Sequence, residues 1–183
     1  MREDAALWPV SPYGVTKAAT EQLARSYGTV FGIPAIGLRY FTVYGPRQRP
    51  DMAFHRLLHA VAEEGEFPLF GDGQQKRDFT YISDAIAGTV AAARAGRPGE
   101  VYNIGGGAAV SLLEVLELMP KIAGRAARVR SEAPPPGEMR QTLADVSKAR
   151  GELGYQVTTR LSDGLGAQYR WICERQAATA EVP

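Results

Sequence analysis

The sequence predicts an α/β fold, in which the end of a larger parallel sheet is joined to a small α+β lobe. A capped helical stretch at residues 12–32 runs through a short turn into the apolar run Pro34-Ala35-Ile36-Gly37-Leu38-Arg39-Tyr40. Helix, tight turn and apolar strand in that order are the alternation of a parallel sheet. Past Tyr44, short strands and helices mix without a long βα repeat, as expected of a lobe rather than of more sheet. The chain's 183 residues, 45% hydrophobic and 22% charged, have the balance of a globular protein able to bury a core.

Each element has a local reason. Pro12 suits the first turn of a helix and Gly32 its end. Residues 42–51 are rich in Gly, Pro and Arg and read as a loop. A helix follows from Met52 to about Glu64. Phe67-Pro68-Leu69-Phe70 and Arg77-Asp78-Phe79-Thr80 flank the turn Gly71-Asp72-Gly73 as short extended segments. Residues 83–95 read as helix and Glu100-Val101-Tyr102-Asn103-Ile104 as strand. Ser111 with Glu114 forms a capping box for a helix ending near Gly124. Residues 133–137 form a Pro-rich loop, and short helices are expected at 146–152 and 161–177.

Composition narrows the function. A net charge of +1 argues against a general nucleic-acid or membrane-surface binder. No apolar run approaches a membrane span, and Met1-Arg2-Glu3-Asp4 does not open a secretory signal, so a cytoplasmic protein is expected. The single cysteine, Cys173, excludes a disulfide framework and a thiolate metal cluster. His55 and His59 lie one helical turn apart without a third ligand, so they read as a helix face and no metal site is expected. Cys173 carries no activating pattern, and Tyr169 and Trp171 read as packing residues.

The chemistry is concentrated in Ser11-Pro12-Tyr13-Gly14-Val15-Thr16-Lys17. Tyr and Lys four apart on a helix project from one face. A neighbouring ammonium favours a phenolate, and such a tyrosine suits general acid/base work on a sugar hydroxyl. Three further motifs follow in order: Arg39-Tyr40-Phe41-Thr42-Val43-Tyr44-Gly45-Pro46-Arg47, Gly71-Asp72-Gly73-Gln74-Gln75-Lys76-Arg77-Asp78-Phe79, and Tyr102-Asn103-Ile104-Gly105-Gly106-Gly107.

Together these motifs resemble the extended short-chain dehydrogenase/reductase family, in its NAD-dependent nucleotide-sugar epimerase and dehydratase branch, from about Pro9 to Trp171. The resemblance implies that residues 1–45 are the C-terminal part of an NAD-binding Rossmann domain. Residues 46–183 would be mainly the lobe that binds a UDP-sugar, with some returns to the Rossmann sheet. It implies hydride transfer between sugar C4 and NAD, with Tyr13 as acid/base and Lys17 beside it on the nicotinamide ribose. Tyr40 and Phe41 would border the nicotinamide. Arg77, and Arg140 from another side, would hold the diphosphate, although many relatives have an arginine where this chain has Pro135 and Pro136. Thr42 and Arg49, the latter in Arg49-Pro50-Asp51-Met52, resemble the UDP-glucuronate 4-epimerase subgroup, where they would hold the C6 carboxylate. UDP-glucose/galactose 4-epimerase, nucleotide-sugar dehydratase or decarboxylase, and a non-catalytic UDP-sugar-binding remnant stay open as alternatives.

The resemblance also implies a glycine-rich cofactor turn and a catalytic Ser/Thr preceding Tyr13. Gly105-Gly106-Gly107 lacks the G-x-G-x-x-G spacing and is read as a tight turn under the lobe. The chain is therefore expected to behave as a fragment that alone binds NAD weakly or not at all. Its strand at residues 35–40 would have an exposed edge. Its partner would be a second copy, as a homodimer, or a separate N-terminal Rossmann half.

Overall fold

The computed structural model describes residues 1–134 and 139–180. Helix α1 (Pro12–Phe31) starts where the Ser11 hydroxyl accepts the Gly14 N–H and ends at Gly32, whose left-handed φ of 67° closes the last turn onto Gly28. No residue of α1 is buried. Its tie to the rest of the protein includes a bidentate pair, in which Arg39 Nε and Nη2 donate to Glu21 at 2.9 and 2.8 Å. Leu23, Val30 and Phe31 are left largely exposed on it.

Strand β1 (Gly37–Tyr40) runs parallel to β5 (Val101–Ile104), every residue of which is buried. These two strands form their own sheet, and no strand covers the other edge of β1 among the described residues. Helix α3 (Ile82–Ala95) and helix α5 (Ser147–Leu153) pack on this sheet, around Tyr102, Ile104, Ala149 and Tyr155.

The expected loop at residues 42–51 needs correction. Thr42–Tyr44 is a strand, β2, parallel to β4 (Lys76–Tyr81) with Thr42 opposite Phe79 and Tyr44 opposite Tyr81. Thr, Val and Tyr are strand formers, and Tyr44 is buried among Phe54, Phe79 and Tyr81. Only from Gly45 does the chain become irregular. The antiparallel strand β6 (Ala109–Ser111) completes this three-stranded sheet.

Strand β3 (Glu66–Phe70) pairs in parallel with β7 (Arg128–Glu132) in a third sheet, so β3 and β4 flank their turn without forming a hairpin. A second core gathers α2 (Ala53–Ala62), α4 (Leu112–Ala123) and α6 (Leu161–Ala180) around Phe54, Leu57, Leu58, Val115, Met119 and Leu165. The Ser111–Glu114 capping box forms as expected, and Trp171 and Tyr169 pack at the edge of this core. Of the loop expected at 133–137, residues 135–137 lie outside the described residues, Pro135 and Pro136 among them.

The glycine turn after β5 is held from below. Asp78, fully buried, accepts the Gly106 N–H at 2.6 Å and the Ala144 N–H at 2.9 Å. A Cβ on Gly106 would stand 2.0 Å from the Phe79 carbonyl oxygen, so backbone packs directly on backbone here. Burial pushes the Asp78 carboxyl above its ordinary range, against those hydrogen bonds.

Candidate active site

Two clefts meet at the loop between β2 and α2. The first, about 250 Å³, has an apolar floor of Phe54, Phe67, Pro68, Phe70, Phe79 and Leu112. Phe54 and Phe79 lie ring to ring at 4.1 Å. Polar groups stand on its walls: Thr42, Gln48, Asp51, Arg56, Gln75 and Arg77. The pairing of β2 with β4 explains the company of Thr42 and Arg77. Thr42 faces Phe79, and Arg77 sits two residues before Phe79 on the same side of the strand. Arg77 Nη1 donates to the Lys76 carbonyl at 3.0 Å.

The second cleft, about 410 Å³ and wider open, is lined by Tyr13, Val43, Tyr44, Gly45, Pro46, Arg47, Gln48, Arg49, Met52 and Ile82. Gln48 and Met52 belong to both linings, so the clefts share a wall. Tyr13 is 71% exposed, and the Lys17 ammonium lies 5.3 Å from its ring centre. The pair stands on one helix face, open to solvent, as the spacing predicts.

Arg49 does not point into empty space. Its Nε and Nη2 donate to the two Asp51 oxygens at 3.0 and 2.8 Å, a bidentate fork between two exposed side chains. This contact holds the Asp51 carboxyl below the usual carboxylate range.

The other expected site residues lie apart. The Tyr40 hydroxyl is 2.7 Å from Thr89 Oγ1 on α3, and Phe41 packs against the β1–β5 core. Arg140 is exposed, and its carbonyl accepts the Lys76 N–H at 2.9 Å, which sets it beside Arg77 on the chain's path without lining either cleft. His55 stacks on His59 at 6.0 Å and meets the edge of Trp171.

Sequence reasoning passed over two glutamines that shape this region. Gln168 on α6, with no exposed surface, accepts the Gly45 N–H at 3.0 Å and donates to Gln48 Oε1 at 2.9 Å. Gln48 in turn donates to the Val43 carbonyl and accepts the His55 N–H. The loop that carries Arg47 and Arg49 is thereby clamped from the far end of the chain. It takes unusual dihedrals, φ 138° at Gly45 and 66° at Arg47. Gln168→Leu should leave the Gly45 N–H unsatisfied and lower stability by about 1–3 kcal/mol. Urea unfolding measures this, and an unchanged midpoint would contradict the clamp.

The described residues contain no group of three or more His, Cys, Asp or Glu able to hold a metal, and no helix long and apolar enough to cross a membrane.

The model of the NAD dependent epimerase/dehydratase family matches residues 1–105. The chain is 50% identical over 173 residues to the uncharacterized UDP-glucose epimerase YtcB of Bacillus subtilis, covering 93% of this chain and 54% of that protein. It superposes with a TM-score of 0.91 on the UDP-glucuronic acid 4-epimerase of Bacillus cereus, solved with UDP-glucuronic acid and NAD. The two are 51% identical, over 94% of this chain and 56% of that one. A dTDP-glucose 4,6-dehydratase from an Actinoplanes species is 35% identical over 166 residues, 90% of this chain and 52% of that protein. The chain spans about half the length of the relatives it matches.

Proposed function

Because the chain belongs to the NAD-dependent epimerase/dehydratase family, we propose that it is the substrate-binding part of a UDP-sugar 4-epimerase acting on UDP-glucuronate. The observation that carries this reading is the wall shared by the two clefts. An aromatic floor beside Arg77 suits a nucleotide base and its diphosphate. A sugar reaching past Gln48 and Met52 then arrives between Tyr13 and Arg49.

In this reading Tyr13 removes the proton from the 4-hydroxyl and returns it after the sugar has turned. Lys17 holds the pair's orientation and binds ribose oxygens. Thr42 and Arg49 grip the C6 carboxylate, which restrains the sugar while C4 is a ketone. Arg77, with Arg140 nearby, holds the diphosphate, and Tyr40 and Phe41 border the cofactor side. NAD supplies hydride exchange at sugar C4 when bound.

The residues present fit that cofactor in part. Tyr13 and Lys17 are open to solvent and adjacent, as a ribose contact requires. The glycine turn at Gly105-Gly106-Gly107 offers no pyrophosphate cradle, because Asp78 and the Phe79 carbonyl oxygen fill the space around Gly106. We assign residues 1–45 to the end of a Rossmann domain and 46–183 mainly to the UDP-sugar lobe, with β5 and the helices packed on it returning to the sheet of β1. The chain's proposed partner is a second copy or a separate N-terminal Rossmann half, and the cytoplasm is its proposed location.

Arg77→Ala should weaken UDP binding by about ten- to a hundredfold, the range of hydrogen bonds from a charged donor. Competition calorimetry with UDP would show it. Equal affinity in both proteins would move the diphosphate away from this cleft.

A further inference from the structure

The Arg49 fork already holds a carboxylate, that of Asp51, on both Nε and Nη2. This is a geometry that suits a sugar carboxylate, since a guanidinium binds carboxylates with two parallel bonds along one edge, and Asp51 occupies the Nε–Nη2 edge. A ligand carboxylate can take that fork only by displacing Asp51. The two side chains are 74% and 64% exposed, so their pairing is weak and displacement is affordable. Asp51 also lines the nucleotide cleft while Arg49 lines the sugar cleft, so the pair spans the boundary between them.

We infer that Asp51 is a specificity-determining residue, an internal carboxylate that competes with the sugar's own carboxylate for Arg49. The inference rests on the reading of Arg49 as a uronate clamp. A neutral hexose does not enter this competition and leaves the Arg49–Asp51 pair closed. A uronate opens it, exchanging one carboxylate for another, and Asp51 swings toward solvent. The pair thus dulls the preference for uronates that a free Arg49 would give, and it keeps the guanidinium aligned while the cleft is empty.

Asp51→Asn removes the charge but keeps the side chain's size. Binding of UDP, UDP-glucose and UDP-glucuronate is measured by calorimetry in the wild-type chain, Asp51→Asn, Arg49→Ala and the double variant. UDP-glucuronate should bind about two- to fivefold more tightly to Asp51→Asn, the range an exposed ion pair spans. UDP and UDP-glucose should be unchanged, and the gain should vanish in the double variant. An equal gain for all three ligands would overturn the inference, since it would mean general relief of repulsion with the diphosphate. An unchanged or weaker UDP-glucuronate affinity would overturn it as well. If Arg49→Ala alone leaves UDP-glucuronate binding unchanged, the uronate clamp itself fails, and the inference with it. That result is separate from a failure of Asp51→Asn against a working Arg49.

Discussion

Tyr13→Phe is expected to lower epimerase turnover by about 10²- to 10⁴-fold, the loss that follows removal of a general acid/base. The measurement needs a complete cofactor site. It is made on this chain joined to the part of the Bacillus cereus epimerase that it does not cover, the covered 56% being 51% identical. The substitution removes one oxygen from an exposed ring, so folding and UDP affinity should be unchanged. Lys17→Met should also lower turnover, because it removes the ammonium 5.3 Å from that ring. A Tyr13→Phe protein with turnover within a few-fold of the parent would remove Tyr13 from the chemistry.

Phe54→Ala carries the other large effect. Phe54 is buried in the core of α2, α4 and α6, and its ring also meets that of Phe79 at a 30° tilt beneath the first cleft. Its loss removes apolar burial, leaves a cavity and breaks the contacts with Tyr44 and Phe79. A cost of about 3–5 kcal/mol in unfolding free energy follows. Urea denaturation measures it. Leu113→Ala serves as a control, because Leu113 is exposed and should change stability little. A drop for Phe54→Ala no larger than for the control would mean that the aromatic floor is not part of the core.

Helices α1 and α4 were legible because their ends are written in single residues. Ser11, Pro12 and Gly32 delimit α1, and Ser111 with Glu114 starts α4. Three strands were not read. β2 is three residues long and adjoins the Gly/Pro/Arg run that made the whole segment look like loop. β6 and β7, Ala-Val-Ser and Arg-Val-Arg-Ser-Glu, have no apolar run, and their extended shape comes from pairing with β4 and β3.

The site divides in the same way. Tyr13 and Lys17 were legible because their relation is local, four residues along one helix. The company of Thr42 and Arg77 depends on the register of two parallel strands. The Gln48–Gln168 clamp joins residues 120 positions apart. A glutamine on a helix reads as a solvent-facing residue, and only the packing of α6 against the loop makes it a buried one.

The most direct test is a calorimetric titration of UDP-glucuronate into the 183-residue chain and its Arg77→Ala and Arg49→Ala variants. The two-cleft account predicts saturable binding at one site, weakened by both substitutions, with the Arg49→Ala effect absent when UDP-glucose is the ligand. No binding to the wild-type chain, or binding that neither substitution changes, would contradict it.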